Sequence, residues 1–317
     1  MSAHSEGGWA LVLAAGDGLR LRSLTATGEG THVPKQYCSF CSDRSLLAET
    51  LARAERVVPR ERVVVVVAEQ HRALWEPELA GLPAGHVAVQ PRNLGTANGL
   101  LLGVMTVLRE DPAATLLVLP SDHAFENERG LRVALRRAQR AAARRPGELV
   151  LLGIEPEEPE TEYGWIVPGG EADSLTTSIA SFVEKPVAER AARLMASGAL
   201  WSSFIMAARL AALLGLYERR QPRVLAAFRA AARRDRESAW SDLYDELPTA
   251  DFSRDILQDS TAALRLLRVP RLGWSDLGTP ERVLRCLRRR PSRRSAVAAP
   301  AAGARRAPVA LDALLHA

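Results

Sequence analysis

Trp9-Ala-Leu-Val-Leu-Ala-Ala15 followed at once by Gly16-Asp17-Gly18 is the stretch on which the fold turns. Seven apolar residues with no polar alternation, stopped by a glycine-containing loop, read as a strand buried on both faces. The same pattern recurs at Arg62 to Ala68, Thr115 to Pro120 and Leu149 to Ile154, and Leu264 to Val269 reads as one more strand. Between the first four lie Ser45 to Val57 and Glu128 to Arg145, whose apolar residues recur at helical spacing while arginines fill the other face. Strands alternating with helices predict an α/β fold, Rossmann-like, with a mixed, mostly parallel sheet flanked by helices. After residue 155 the texture changes: Pro156, Pro159, Pro168 and Gly169-Gly170 interrupt the chain. Ala188 to Ser197, Ala207 to Tyr217 and Val224 to Arg234 then read as helices. The expected organisation is a disordered N-terminus over 1–8 and one domain over 9–287. Its halves run 9–155 and 156–287, with a helical subregion near 207–262. An Arg/Ala/Pro-rich tail, 288–317, has too few large apolar residues to order itself.

Charge must be located before it is interpreted. The net charge is +5, yet the tail alone carries seven arginines against one acid, Asp312, so the body is nearly neutral. The body gives no reason to expect nucleic acid, and polyanion binding remains an alternative for the tail only. No apolar run approaches the ~20 residues of a membrane span. Met1 to Gly8 lacks a basic leader segment, so the expected location is the cytoplasm, with no membrane partner. Of 42 basic residues only Lys35 and Lys185 are lysine, each beside a proline. A lysine kept in so arginine-rich a sequence marks either chance retention or a place where a compact point charge suits a phosphate. Cys38 and Cys41 form a single C-x-x-C and Cys286 stands alone, too few ligands for a structural zinc site.

In an α/β sheet, ligands bind beyond the carboxyl ends of the strands. The loop after the first strand, Ala14-Ala15-Gly16-Asp17-Gly18-Leu19-Arg20, can bring backbone N–H groups to a phosphate. It lacks the third glycine of a dinucleotide fingerprint and the G-K-[ST] of a Walker loop. Ser121-Asp122-His123 follows another strand, and Asp276 lies in a glycine-containing loop near 274–279. An aspartate so placed is a Mg²⁺ ligand or a helix cap, and both readings stay open. His123 receives no catalytic role.

Together these features resemble the sugar-1-phosphate nucleotidyltransferase family. The motifs are L-A-A-G-D-G-L-R (13–20), P-K-Q (34–36), N-L-G-T-A (93–97), L-P-S-D-H (119–123), E-Y-G-W-I (162–166), F-V-E-K-P (182–186) and W-S-D-L-G (274–278). They run in the family's order over roughly 9 to 285 and look most like members that use GTP and mannose 1-phosphate. The resemblance implies a nucleotide-diphospho-sugar transferase type of fold, a nucleoside triphosphate, GTP favoured, and a hexose 1-phosphate as partners, and Mg²⁺ as cofactor. It implies catalytic roles for Arg20, Lys35 and Lys185. Ala14, Ala15, Gly16, Asp17, Gly18, Gly95, Thr96, Ala97 and Asp122 would meet the nucleotide. Tyr163, Gly164, Glu184, Lys185 and Ser202 would meet the sugar phosphate, and Asp122 and Asp276 the metal. The family commonly has glycine where Ala15 stands, proline at Asn98, and W-N-S-G where this chain has Trp201-Ser202-Ser203-Phe204. Another sugar or nucleotide with the same chemistry therefore stays open, as does a non-catalytic nucleotide-binding regulator. So does a homodimer, and no appended isomerase domain or β-helix is expected.

Overall fold

The computed structural model describes residues 8–26, 32–40, 42–234 and 238–289. The expected disorder of residues 1–7 and of the tail from 290, and Cys41 of the C-x-x-C, lie outside the described residues. Gly8 is already packed, since a Cβ there would stand 2.9 Å from the Thr115 carbonyl.

Nine strands form one sheet: β1 (Trp9–Leu13), β2 (Val63–Ala68), β3 (Val87–Gln90), β4 (Thr115–Pro120), β5 (Leu149–Ile154), β6 (Gly164–Ala172), β7 (Thr177–Glu184), β8 (Leu200–Arg209) and β9 (Leu264–Val269). The helices are α1 (Arg22–Thr25), α2 (Leu46–Glu55), α3 (Arg72–Leu79), α4 (Thr96–Glu110), α5 (Glu128–Arg144), α6 (Ala188–Ala196), α7 (Leu210–Arg220), α8 (Pro222–Ala232), α9 (Ala239–Glu246) and α10 (Pro280–Arg289). The strand order is β3-β2-β1-β4-β8-β5-β9-β7-β6, with β6 also pairing the start of β8. β7 and β8 run against the other strands, so the sheet is mixed with most strands in one direction. It draws strands from both halves of the chain.

The pattern of burial explains the strands. All six residues of β2 and of β5 are buried, as a strand covered on both faces requires. Each buried Val or Leu contributes roughly 1.5–3 kcal/mol relative to exposure. Helices α2 and α5 cover one face, and α4, α7, α8 and α9 the other. Ser45 caps α2 by accepting from Ala48 N at 3.0 Å, and Asn127 caps α5 by accepting from Gly130 N at 2.8 Å. On α5, Leu131, Ala134, Leu135, Ala138, Ala141 and Ala142 form the buried stripe.

Several elements differ from the sequence reading. Ala207 to Arg209 belong to β8, where Ala207 pairs with both Leu117 and Val150, so the helix starts at Leu210. The Pro/Gly-interrupted stretch after 155 holds a long hairpin, β6–β7, with a register shift at Val167/Pro168. Helix α4 passes through Gly99 and Gly103; a Cβ on Gly103 would strike Leu11 and Val66, so this glycine lets the helix lie close on the sheet. Helix α10 runs past residue 287 to Arg289.

Candidate functional site

The glycine-rich loop sits at the carboxyl end of β1 and is fixed from beneath by the P-K-Q segment. Gln36 Nε2 donates to the carbonyls of Ala14 (3.0 Å) and Gly16 (2.7 Å), and Tyr37 OH donates to Ala14 O at 3.1 Å. In a trans peptide the N–H opposes the C=O, so the N–H groups of Ala15 and Asp17 point away from Gln36. Gly18 has φ +66°, and a Cβ would stand 2.9 Å from Lys35 N. Only glycine suits both the left-handed conformation and that approach. Among the described residues, apart from its two chain neighbours, none has an atom within 4 Å of where a Cβ of Gly16 would stand. Asp17 is held by Gln70 Nε2 at 3.0 Å and Asn93 Nδ2 at 3.1 Å, which binds the loops after β1, β2 and β3 together.

The loop after β4 meets the loop after β9 through reciprocal bonds between Ala124 and Ser275 (2.9 and 3.0 Å). That pairing brings Asp122 and Asp276 into one region from positions far apart in the chain. Between them lies Lys35, whose side chain is only 8% exposed; its Nζ is 3.1 Å from Asp122 Oδ2 and donates to Asp276 O at 2.6 Å. Burial opposes ionisation of Asp122, but Lys35 and then His123 outweigh it and hold the carboxyl below its usual range. Burial likewise opposes the charge on Asp276, yet Lys35 and Arg282 hold its pKa at about 2. Arg20, half exposed, reaches Glu162 at 3.2 Å and Asp276 Oδ2 at 3.5 Å. Asp17, Gly18, Arg20, Lys35, Asn93 and Asp122 share a cleft of about 310 Å³.

The two carboxylates fit Mg²⁺, a hard cation that takes one or two carboxylates plus phosphate oxygens. Asp276 Oδ1 already accepts from Arg282 (2.7 Å), Tyr163 OH (2.9 Å) and Gly278 N (2.9 Å), while Oδ2 has the longer Arg20 contact at 3.5 Å. Asp122 is one-third exposed. Each aspartate therefore has a less encumbered oxygen to offer. Among the described residues no group of three or more His, Cys, Asp or Glu side chains is arranged to hold a metal unaided, so ligand phosphates would have to complete the shell. His123 accepts from Trp274 Nε1 at its Nδ1 (3.2 Å), which leaves the proton on Nε2, 3.5 Å from Asp122 Oδ1.

A second cluster lies at the ends of β6, β7 and β8. Tyr163 joins it to the first, with its hydroxyl on Asp276 and its carbonyl accepting from Lys185 N at 3.2 Å. Lys185 is exposed, with φ +44°. A Cβ on Gly164 would come within 2.8 Å of Glu184 Oε2 and 3.3 Å of Ser202 Cβ, so that glycine makes room for both. Burial, with Asp251 as a neighbouring negative charge, pushes the Glu184 pKa up to about 7, against Lys185 and Arg254. Two positions beyond Ser202, Phe204 has φ +57° and packs edge-on to Phe252, 6.1 Å between ring centres.

Asn93 ties the N-L-G-T-A segment to the glycine-rich loop, and the residues after it pack against the segment around Ala250. Gly95 has φ +89°, and a Cβ would collide with the Ala250 carbonyl. Ala97 N donates to Ala250 O at 3.0 Å, and Thr96 Oγ1 donates to Asp251 Oδ2 at 3.1 Å. Asn98 is fully buried, and its Nδ2 ties Leu94 O (2.8 Å) to Pro248 O (2.9 Å), a bridge that proline at this position could not make. Gln36, Asn93, Glu162, Asp251 and Arg282 escape sequence reasoning as parts of these clusters. Gln36 and Glu162 stood inside recognisable motifs, whereas nothing in the sequence places Asp251 or Arg282 near them. Cys38 is buried, and burial pushes its thiol up to about 12, which leaves it an inert core residue.

A family model described as "Nucleotidyl transferase" matches residues 9–289. The chain is 32% identical over 281 residues to the mannose-1-phosphate guanylyltransferase ManC of Salmonella typhimurium, covering 85% of this chain and 57% of that protein. It is 30% identical over 278 residues to the xanthan biosynthesis protein XanB of Xanthomonas campestris, with the same coverage of 85% and 57%. It thus spans little more than half the length of these curated relatives. A crystal structure from Thermus thermophilus described as mannose-1-phosphate geranyltransferase superposes with a TM-score of 0.76 at 30% identity, over 85% of this chain and 76% of that one.

Proposed function

The chain belongs to the nucleotidyl transferase family, and on that premise we propose that it joins a nucleoside triphosphate to a sugar 1-phosphate with release of pyrophosphate. GTP and mannose 1-phosphate are the leading pair, in keeping with the names of its relatives. The observation that carries the reading is Lys35, a buried ammonium set between Asp122 and Asp276 in the same cleft as the glycine-rich loop and Arg20.

A phosphate monoester has its second pKa near ~6, so the sugar phosphate is largely a dianion at neutral pH and requires no general base. Its oxygen forms a bond to the α-phosphorus as the bond from that phosphorus to the bridging oxygen breaks, and pyrophosphate leaves with those electrons. The chain's task is to bring two anions together and stabilise charge on the equatorial oxygens and the leaving group. The Ala15 and Asp17 N–H groups, Arg20 and Lys35 would receive the triphosphate. Lys185 would meet the sugar phosphate, and Glu184 a sugar hydroxyl. Tyr163 and Arg282 hold Asp276 in orientation. Mg²⁺, held by Asp122 and Asp276, would neutralise phosphate charge and align the triphosphate.

A different sugar phosphate is the second reading, favoured by Phe204 beside Ser202. A phenyl ring in a left-handed conformation is a strained choice, and strain of that kind gathers at functional positions. Pyrophosphate release by the purified protein with Mg²⁺, crossing four nucleoside triphosphates against mannose, glucose and related sugar 1-phosphates, tests both. Release only with GTP and mannose 1-phosphate supports the first, and release with another pair the second. Release with no pair removes the enzymatic reading.

A further inference from the structure

The peptide groups of the glycine-rich loop are turned by side chains from outside it. Gln36 takes the carbonyls of Ala14 and Gly16, and a third carbonyl, that of Asp17, is 2.9 Å from His32 Nε2. A carbonyl only accepts, so Nε2 carries the proton and donates. The opposition of N–H and C=O in a trans peptide then directs the Gly18 N–H away from His32. The N–H groups of Ala15, Asp17 and Gly18 have no partner among the described residues, and Asp17 and Gly18 line the cleft that holds Lys35. His32 has a firm base: Val33 N donates to Thr25 O at 2.9 Å, and His32 pairs with Ala26. The Asp17 side chain is fastened separately, Oδ1 to Gln70 Nε2 at 3.0 Å and Oδ2 to Asn93 Nδ2 at 3.1 Å, with His71 Nε2 3.7 Å from Oδ1. The residue between the two glycines is therefore held at its carbonyl and at both carboxylate oxygens.

We propose that His32 is a positioning residue for the triphosphate: by holding the Asp17 carbonyl it selects the orientation of the 17–18 peptide in which the Gly18 N–H is offered to an anion together with those of Ala15 and Asp17. A selector is needed at this peptide, because Gly18, at φ +66°, belongs to the one residue type that takes either sign of φ at little cost, and the plane before it can turn over. Turned over, it would present a carbonyl oxygen to the phosphates where a donor had stood. Lys35 attracts as a point charge, whereas oriented N–H groups fix where each phosphate oxygen lies. The identity of the anion rests on the reading above; the His32–Asp17 bond does not.

The simpler role for His32 is to tie its own segment to the loop for stability alone, which predicts a lower melting temperature in His32→Phe and an unchanged affinity for anions. His32→Gln keeps an N–H donor and serves as the conservative variant. Asp17-Gly18 is the one Asp-Gly pair in the sequence, so the full chain labelled with ¹³C at aspartate carbonyls and ¹⁵N at glycine gives a single carbonyl-filtered amide signal, that of Gly18. The probe is inorganic tripolyphosphate in Mg²⁺-free buffer, which reads the chain's own donors. We expect the wild-type Gly18 signal to move on titration. H32F should start from a different shift and bind roughly 2- to 10-fold more weakly, as the loss of one net hydrogen bond implies, and H32Q should return toward the wild type in both respects. In turnover, H32F should raise the KM for the triphosphate and leave that for the sugar phosphate where it is. Tripolyphosphate bound equally well by the wild type and H32F, with the fold intact by circular dichroism, overturns the proposal and leaves the functional reading in place. Wild-type protein that neither binds tripolyphosphate nor turns over any substrate pair defeats that reading and the proposal with it.

Discussion

Replacing Lys35 with methionine removes one charge at the centre of the cleft and keeps most of the side chain's volume. The Nζ to Asp122 Oδ2 separation is 3.1 Å. At an effective dielectric near ~20, two unit charges at that distance attract by roughly 5 kcal/mol before desolvation is counted. Removing one member of a buried pair costs about 3–5 kcal/mol, and the solvent reaching Asp122 moves the expected loss to the low end of that range or below it. Turnover should fall further than stability, because in the proposed reaction the ammonium would stand where charge develops on the phosphates; loss of one such group costs about 10²–10³ in kcat. Lys35→Met/Asp122→Asn should then recover part of the lost thermal stability, since it deletes the stranded carboxylate, without recovering turnover. Thermal unfolding and pyrophosphate release on the same three preparations provide the comparison. Wild-type kcat in K35M, or a double variant no more stable than K35M, would refute the reasoning.

The Glu184 carboxyl carries the clearest pH signature. Its folded pKa, about 7, lies above the unfolded value, so the native state binds the extra proton in between. Its stabilising contribution is complete below the unfolded pKa of ~4.3 and is lost as pH rises through 7, a change of up to about 4 kcal/mol. Glu184→Gln should flatten that slope in urea unfolding at successive pH values; an unchanged slope would show that the group titrates normally. Gly95→Ala should be destabilising by about 1–3 kcal/mol, from the positive φ and the collision with Ala250 O, whereas Gly16→Ala should leave the melting temperature unchanged. Equal melting temperatures for the two variants would contradict this contrast. Phe204→Gly should alter the KM for the sugar phosphate with little effect on that for the triphosphate; the reverse pattern would place the ring outside the sugar side. Chelation should abolish pyrophosphate release and added Mg²⁺ restore it, with Asp122→Asn requiring more of the ion. Full activity in excess chelator would exclude the metal role of the aspartates.

Continuous apolar runs made β1, β2, β4 and β5 legible, because strands covered on both faces need apolar residues at nearly every position, and β9 showed through as apolar residues around Arg265 and Arg268. β3 has only four residues, half of them incompletely buried, too short for a periodicity to emerge. β6 was hidden by Pro168-Gly169-Gly170, which signal a break in sequence but are accommodated where the strand bulges and lacks a second neighbour. Helix α4 was hidden by two glycines whose reason is tertiary, the closeness of Leu11, Val66 and Gln90. The site divides along the same line. Gly18, Lys35, Asp122 and Asp276 announce themselves as unusual residues after strands, and the structure gathers them. Asp251 and Arg282 act through partners more than 100 residues away, Thr96 and Glu160, or through an ordinary helix turn, and no local pattern carries that information.

In the proposed reaction a sugar phosphate oxygen attacks the α-phosphorus of a nucleoside triphosphate in the Lys35 cleft. Phosphorus-31 NMR of the wild-type protein with Mg²⁺, the triphosphate and its matching sugar 1-phosphate follows both products directly. A nucleoside diphosphate sugar should appear in equal amount with pyrophosphate, only when both substrates are present. Formation of nucleoside diphosphate and orthophosphate, or product without the sugar phosphate, would contradict it.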